Sequence, residues 1–209
     1  MAQGYLAQVQ ALIDQRMKEN PEEMKRKLKE IERVKKEAKK APKVPPKPLI
    51  DPQLTGELIE ELNKCAELNI QVVKDLIKRG ADIKAKNVED TTVLHQASWF
   101  GDMELAKLLI ASGADVNAKT NYGFTPLHWA DSVELAKLLI DSGADVRAKN
   151  KWGFTPLHWA IRKNKIEIAK LLIASGADVE AKNKNGETPL HVAKSQKMKA
   201  LLREHGATE

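Results

Sequence analysis

The triplet Gly-Ala-Asp recurs in this chain of 209 residues at a nearly fixed interval, and no other feature constrains the fold as tightly. It begins at Gly80, Gly113, Gly143 and Gly176, and a degenerate His-Gly-Ala follows at Gly206, giving spacings of 33, 30, 33 and 30. Self-similarity at a period of roughly 20–50 residues is the mark of an array of stacked units. Ahead of these glycines run VVKDLIKR, LAKLLIAS, LAKLLIDS, IAKLLIAS and KALLREH, whose apolar residues fall at helical spacing. Each reads as an amphipathic helix stopped by glycine, the residue suited to a left-handed C-terminal cap. A second signal precedes each later helix: TVLHQA from Thr92, TPLHWA from Thr125 and from Thr155, and TPLHVA from Thr188. Threonine followed by proline at the first helical position starts a helix.

Each unit is thus a turn, a short helix, a second helix and a glycine stop, too small to bury its own apolar face without a neighbour. T-P-L-H-x-A followed by L-L-I-x-x-G-A-D-V-x-A-K at a period near 33 resembles the ankyrin repeat, over about residues 54–207. The fold class expected is therefore all-α: a solenoid of five ankyrin-like repeats over 53–207, preceded by an N-terminal helical arm. The repeats divide at about 51–86, 87–119, 120–149, 150–182 and 183–207. The first lacks TPLH and starts on Asp51-Pro52, which reads as an N-terminal capping repeat. The last brings Lys199 and Arg203 to its outer helix, as a C-terminal cap does.

The intervals of 30 have a local cause. Six residues, IRKNKI, separate Ala160 from Glu167 in the fourth unit, but only DSV separates Ala130 from Glu134 in the third, and KSQ stands at the same place in the fifth. Three residues are nearly one helical turn. The loss predicts a shortened first helix in units three and five with the stacking intact.

Repeated histidines invite a metal reading, but equivalent side chains of successive repeats lie along a line and do not converge as a metal requires. The resemblance implies instead that His95, His128, His158 and His191 are structural, each tying its own turn to the neighbouring one. His205 reads as a helix-end residue. The glycines form stops and turns, not a phosphate-cradling loop. Asp82, Asp115, Asp145 and Asp178 recur one per unit and are not a paired acid and base. Cys65 falls at an apolar position and reads as a buried structural thiol. No enzyme, cofactor, metal or small-molecule substrate is expected. No stretch is apolar enough to span a membrane and no secretory signal is read at the start, so the expected location is intracellular and cytoplasmic.

Aromatic residues are more informative. Of nine, all but Tyr5 lie between Trp99 and Trp159. Trp129 and Trp159 occupy the x of TPLHxA and read as packing residues between inner helices. Tyr122, Phe124, Trp152 and Phe154 flank Gly123 and Gly153, positions that the resemblance places on projecting hairpins used for contact. Trp99 and Phe100 end the first helix of unit two, which by the same resemblance faces a concave groove. With Arg162 and Lys163 they form the expected partner-binding set, because aromatic anchors dominate interface energetics. Glu89 on one side and Lys119, Lys149, Lys151, Arg162 and Lys163 on the other suggest an acidic rim on the partner.

Charge is distributed unevenly. Residues 1–48 hold 13 Lys/Arg against 7 Asp/Glu, and residues 49–209 hold 22 of each, so the whole surplus of +6 lies in the N-terminal quarter. Two helices are expected in 1–40, with a break near 20–21 where Asn20-Pro21-Glu22-Glu23 forms a restart signal. Prolines in 41–52 predict an extended linker. For the arm, self-association or a partner-helix contact competes with a plain spacer and with nucleic-acid or anionic-membrane binding. A coiled-coil seam is broken, since Met17, Met24, Ile31 and Ala38 keep the heptad while Pro21 and Lys35 fill the other core places. Five acids and no aromatic in 21–40 weigh against nucleic acid. The expected function is non-catalytic binding of another protein; the alternative is a nucleic-acid-associated regulator whose arm contacts phosphates.

Overall fold

Second helices that end on the glycine triplet, and first helices that begin on threonine, set the architecture of the computed structural model, which describes residues 50–64 and 69–208 together with Lys29. The expectations for the arm, most of the linker and Cys65 fall outside the described residues. Among the described residues of the unit Pro48–Glu209 there are ten helices in five pairs and no strand. The first helices are α1 (Pro52–Asn63), α3 (Val93–Phe100), α5 (Pro126–Trp129), α7 (Pro156–Arg162) and α9 (Pro189–Val192). Each is followed by its second helix: α2 (Ile70–Arg79), α4 (Met103–Ala111), α6 (Val133–Asp141), α8 (Ile166–Ala174) and α10 (Gln196–Glu204). None of the described helices is long and apolar enough to cross a membrane.

The helices stack in file. First helices meet first helices (α3 on α5, α5 on α7, α7 on α9) and second helices meet second helices (α4 on α6, α6 on α8). One apolar seam runs through the stack, because the same positions are buried in each unit: Leu94, Leu127, Leu157 and Leu190 from the first helices, Leu109, Leu139 and Leu172 from the second. Burying one leucine side chain is worth about 1.5–3 kcal/mol, so neighbouring units hold each other.

Caps fix the helix ends. The side chains of Asp102, Ser132 and Ser195 accept from the N–H groups of Leu105, Leu135 and Met198 at 3.0, 3.2 and 3.2 Å. At the other end Gly113 N–H donates to Ile110 O and Ala114 N–H to Leu109 O, the paired bonds of a glycine stop, and Gly143 and Gly176 repeat it.

The shortened units have the expected form. α5 and α9 have four residues each against eight in α3 and seven in α7. Stacking survives because both flanks bridge the missing turn. Asp131 N–H donates to Ser98 O of the preceding unit at 3.2 Å, and Lys165 Nζ of the following unit donates to Asp131 O and Oδ1 at 3.1 and 2.8 Å. In unit five Ser195 Oγ bonds Asn164 Oδ1 at 2.8 Å.

Candidate functional site

Turns between units are joined into a ladder. Asn121 N–H donates to Glu89 O, Lys151 N–H to Tyr122 O and Lys184 N–H to Trp152 O, at 2.8, 2.8 and 2.9 Å. Close approach of adjacent turns demands glycine at their corners: Gly153 has φ +80°, and a Cβ there would lie 2.9 Å from Lys184 N. Gly186 has φ +79° but nothing near its missing Cβ. The ladder holds the turn aromatics in register, so Tyr122 and Trp152, 46% and 48% exposed, stack with centroids 5.6 Å apart and planes 17° apart.

The stack continues inward. Phe124 lies 5.9 Å from Trp152, 5.1 Å from Trp159 and 6.1 Å from Trp129, which in turn meets Trp99 edge-on at 6.1 Å. Three units thus contribute to one connected aromatic face. Cations cover part of it: Arg162 lies over Phe154 and Trp159 at 5.3 and 5.4 Å, and Lys163 over Trp99 at 5.5 Å. Such contacts hold long side chains over ring faces and add roughly 0.5–1 kcal/mol each where exposed. Phe100 is 45% exposed and joins none of these ring contacts among the described residues.

Phe124 and Phe154 differ from the expectation of projecting tips. Both are half-buried, with rings edge-on to the histidines of their own units, His128 and His158, at 5.5 Å. The reason is their place one residue before the threonine cap, which turns the chain back toward the helix. Trp129 and Trp159, expected in the core, are half-buried and line a recess. The missing turn of α5 uncovers them, leaving a cavity of ≈ 150 Å³ walled by Trp99, Trp129 and Trp159 and rimmed by Asp131, Lys163 and Lys165. Both signals, the three-residue loss and the crowding of tryptophans, stand in the sequence, but only the folded stack brings them together.

The histidines bind backbone. His95 Nδ1 accepts from the Thr92 N–H and hydroxyl at 3.2 and 2.9 Å, while Nε2 faces Phe124 O of the next unit at 3.0 Å. His128 does the same with Thr125 and Phe154 O (3.1 Å), and His158 with Thr155 and Glu187 O (3.4 Å). A donor at Nδ1 and an acceptor at Nε2 select the neutral tautomer protonated on Nε2. Burial pushes His95 and His128 down to about 4 and lowers His158 as well. His191 keeps its Thr188 contact (2.8 Å) but is exposed. His205 caps α10, with Nδ1 at 2.9 Å from Leu201 O.

A family model described as ankyrin repeats, in three copies, matches residues 62–150 and 131–208. Among similar proteins are the RelA-associated inhibitor of Mus musculus (37% identical over 84 residues, 40% of this chain) and the neurogenic locus Notch protein of Drosophila melanogaster (40% over 77 residues, 36% of this chain). An ankyrin repeat protein of Acanthamoeba polyphaga mimivirus is 46% identical over 52 residues, 25% of this chain. The chain spans 9%, 3% and 38% of the lengths of these three relatives.

Proposed function

The chain belongs to the ankyrin repeat family, and from that premise we propose that it is a non-catalytic module that binds a partner protein across its aromatic face. Trp99, Phe100, Tyr122, Phe124, Trp152, Phe154, Arg162 and Lys163 supply the contact, joined by Trp129 and Trp159. One observation carries the reading: the half-exposed Tyr122–Trp152 stack continues without a break into the rings beneath it. Large aromatic rings held rigid and open to water are the usual centre of an interface, since ordering them on binding costs little. The basic arm, residues 1–40, serves as a second contact or as a self-association element. One relative is named as an inhibitor associated with RelA, which is in keeping with this reading.

Affinity capture with the full chain, with residues 49–209 and with a Tyr122→Ala, Trp152→Ala double variant tests the proposal. These two residues are preferable to Phe154, whose ring also packs on His158. The double variant retains its fold and loses the partner; retention of the partner by a folded double variant overturns the face. The surplus of positive charge in residues 1–48 favours a second reading, contact of the arm with nucleic-acid phosphates. It requires binding that weakens steeply with salt and disappears when residues 1–48 are removed.

A further inference from the structure

The recess over the shortened α5, at ≈ 150 Å³ against ≈ 510 Å³ for the wider hollow beside it, is sized to enclose a single side chain. We propose that it is a pocket for a single phenylalanine- or leucine-sized side chain of the partner, carried on a segment with carboxylates at the adjacent residues. The inference rests on the partner-binding reading and specifies the partner's chemistry. Size supports the guest: the cavity measures ≈ 150 Å³, and an apolar cavity of about 150 Å³ accommodates benzene. Its lining joins three tryptophan rings to Leu127, Pro156, Ala160 and Ile168, so an apolar group sheds water against a mainly apolar surface there. The recess is also pre-formed. Lys165 and Asp131 bridge its mouth at 2.8 Å, and Lys163 is held against Trp99.

Charge selects the flanking residues. Of the two acids that line the recess and the hollow beside it, Asp131 is paired with Lys165, and Glu187 accepts from Asn183 Nδ2 at 2.7 Å. Arg162, Lys163 and Lys194 line the same recess or the adjoining one and form no ion pair among the described residues. Three cations against one unpaired carboxylate, Glu187, leave a net positive rim, which favours a guest whose neighbours are anionic and repels one whose neighbours are basic.

The test uses the full chain and three peptides: acetyl-Glu-Phe-Glu-amide, acetyl-Glu-Ala-Glu-amide and acetyl-Lys-Phe-Lys-amide. Binding is read from the indole N–H resonances of the four tryptophans, with Trp152, outside the recess, as internal control. The first peptide shifts Trp99, Trp129 and Trp159 and binds at least about tenfold more tightly than either control, as burial of one benzyl group and the charge match require. Ala130→Leu, which adds bulk to the recess from the C-cap position of α5, where φ is −55° and a larger side chain meets no backbone strain, abolishes the shifts, and Lys163→Glu reduces the preference for the acidic peptide by about tenfold or more. Equal binding of all three peptides, preference for the lysine peptide, or shifts confined to Trp152 overturn the proposal. If a natural partner is lost by the Tyr122→Ala, Trp152→Ala variant yet bound undiminished by Ala130→Leu, the pocket is refuted while the wider face stands.

Discussion

Acid should loosen this solenoid well before its carboxylates titrate. His95 and His128 are neutral in the folded chain because protonation would place a charge in a buried site and force Nδ1 to face the N–H it accepts from. Their folded values lie at about 4 against an ordinary value of 6.5, so the unfolded chain binds more protons between these limits and stability falls as pH falls. The contribution is intact above about 6.5 and is lost progressively toward 4. For two such groups the loss between pH 7 and pH 5 is about 4 kcal/mol in all, a large part of the 5–15 kcal/mol typical of a domain. His158 acts in the same direction. Urea titrations followed by circular dichroism at pH 7, 6 and 5 measure this directly. The midpoint should drop at each step, and the His128→Ala variant should have lower stability at pH 7 with a shallower dependence on pH. A stability that changes by less than about 1 kcal/mol between pH 7 and pH 5 would refute the assignment of buried neutral histidines.

Three other outcomes are expected. Gly153→Ala should cost more than Gly186→Ala, because both place a side chain at positive φ, about 1–2 kcal/mol, but only the first drives a Cβ to 2.9 Å from the next turn; thermal melts of the two variants compare them. Leu139→Ala, at a fully buried position between α4 and α8, should cost about 2–5 kcal/mol by chemical denaturation, whereas Lys137→Ala, in an exposed ion pair two residues earlier in α6, should cost under about 1 kcal/mol. Ser132→Ala should cost about 1 kcal/mol, measured the same way, by removing the cap of α6.

The fold was legible because it is written several times over. Each Gly-Ala-Asp stop and each threonine start repeats a local rule, and the three-residue deficit between Ala130 and Glu134 translates directly into a four-residue α5. The site was legible in part. Tyr122 and Trp152 sit beside turn glycines and are exposed as expected. The x position of TPLHxA misled, since its burial depends on the volume of the side chain to be covered and on what the assembled stack places over it. Gln96 at that position is buried, while the larger Trp129 and Trp159 remain half-open beside the recess. Contacts between units two and four, such as Lys163 over Trp99, arise only once the stack is assembled and no local pattern announces them.

The claim on which the functional account turns is that the aromatic face of units two to four is where a partner sits. Hydrogen–deuterium exchange of the full chain, alone and with its captured partner, examines that claim most directly. Slowed exchange in the segments 96–101, 120–130 and 150–163, with the second helices α4, α6 and α8 unchanged, is the predicted result. Protection confined to the second helices, or to residues 1–48, would contradict it.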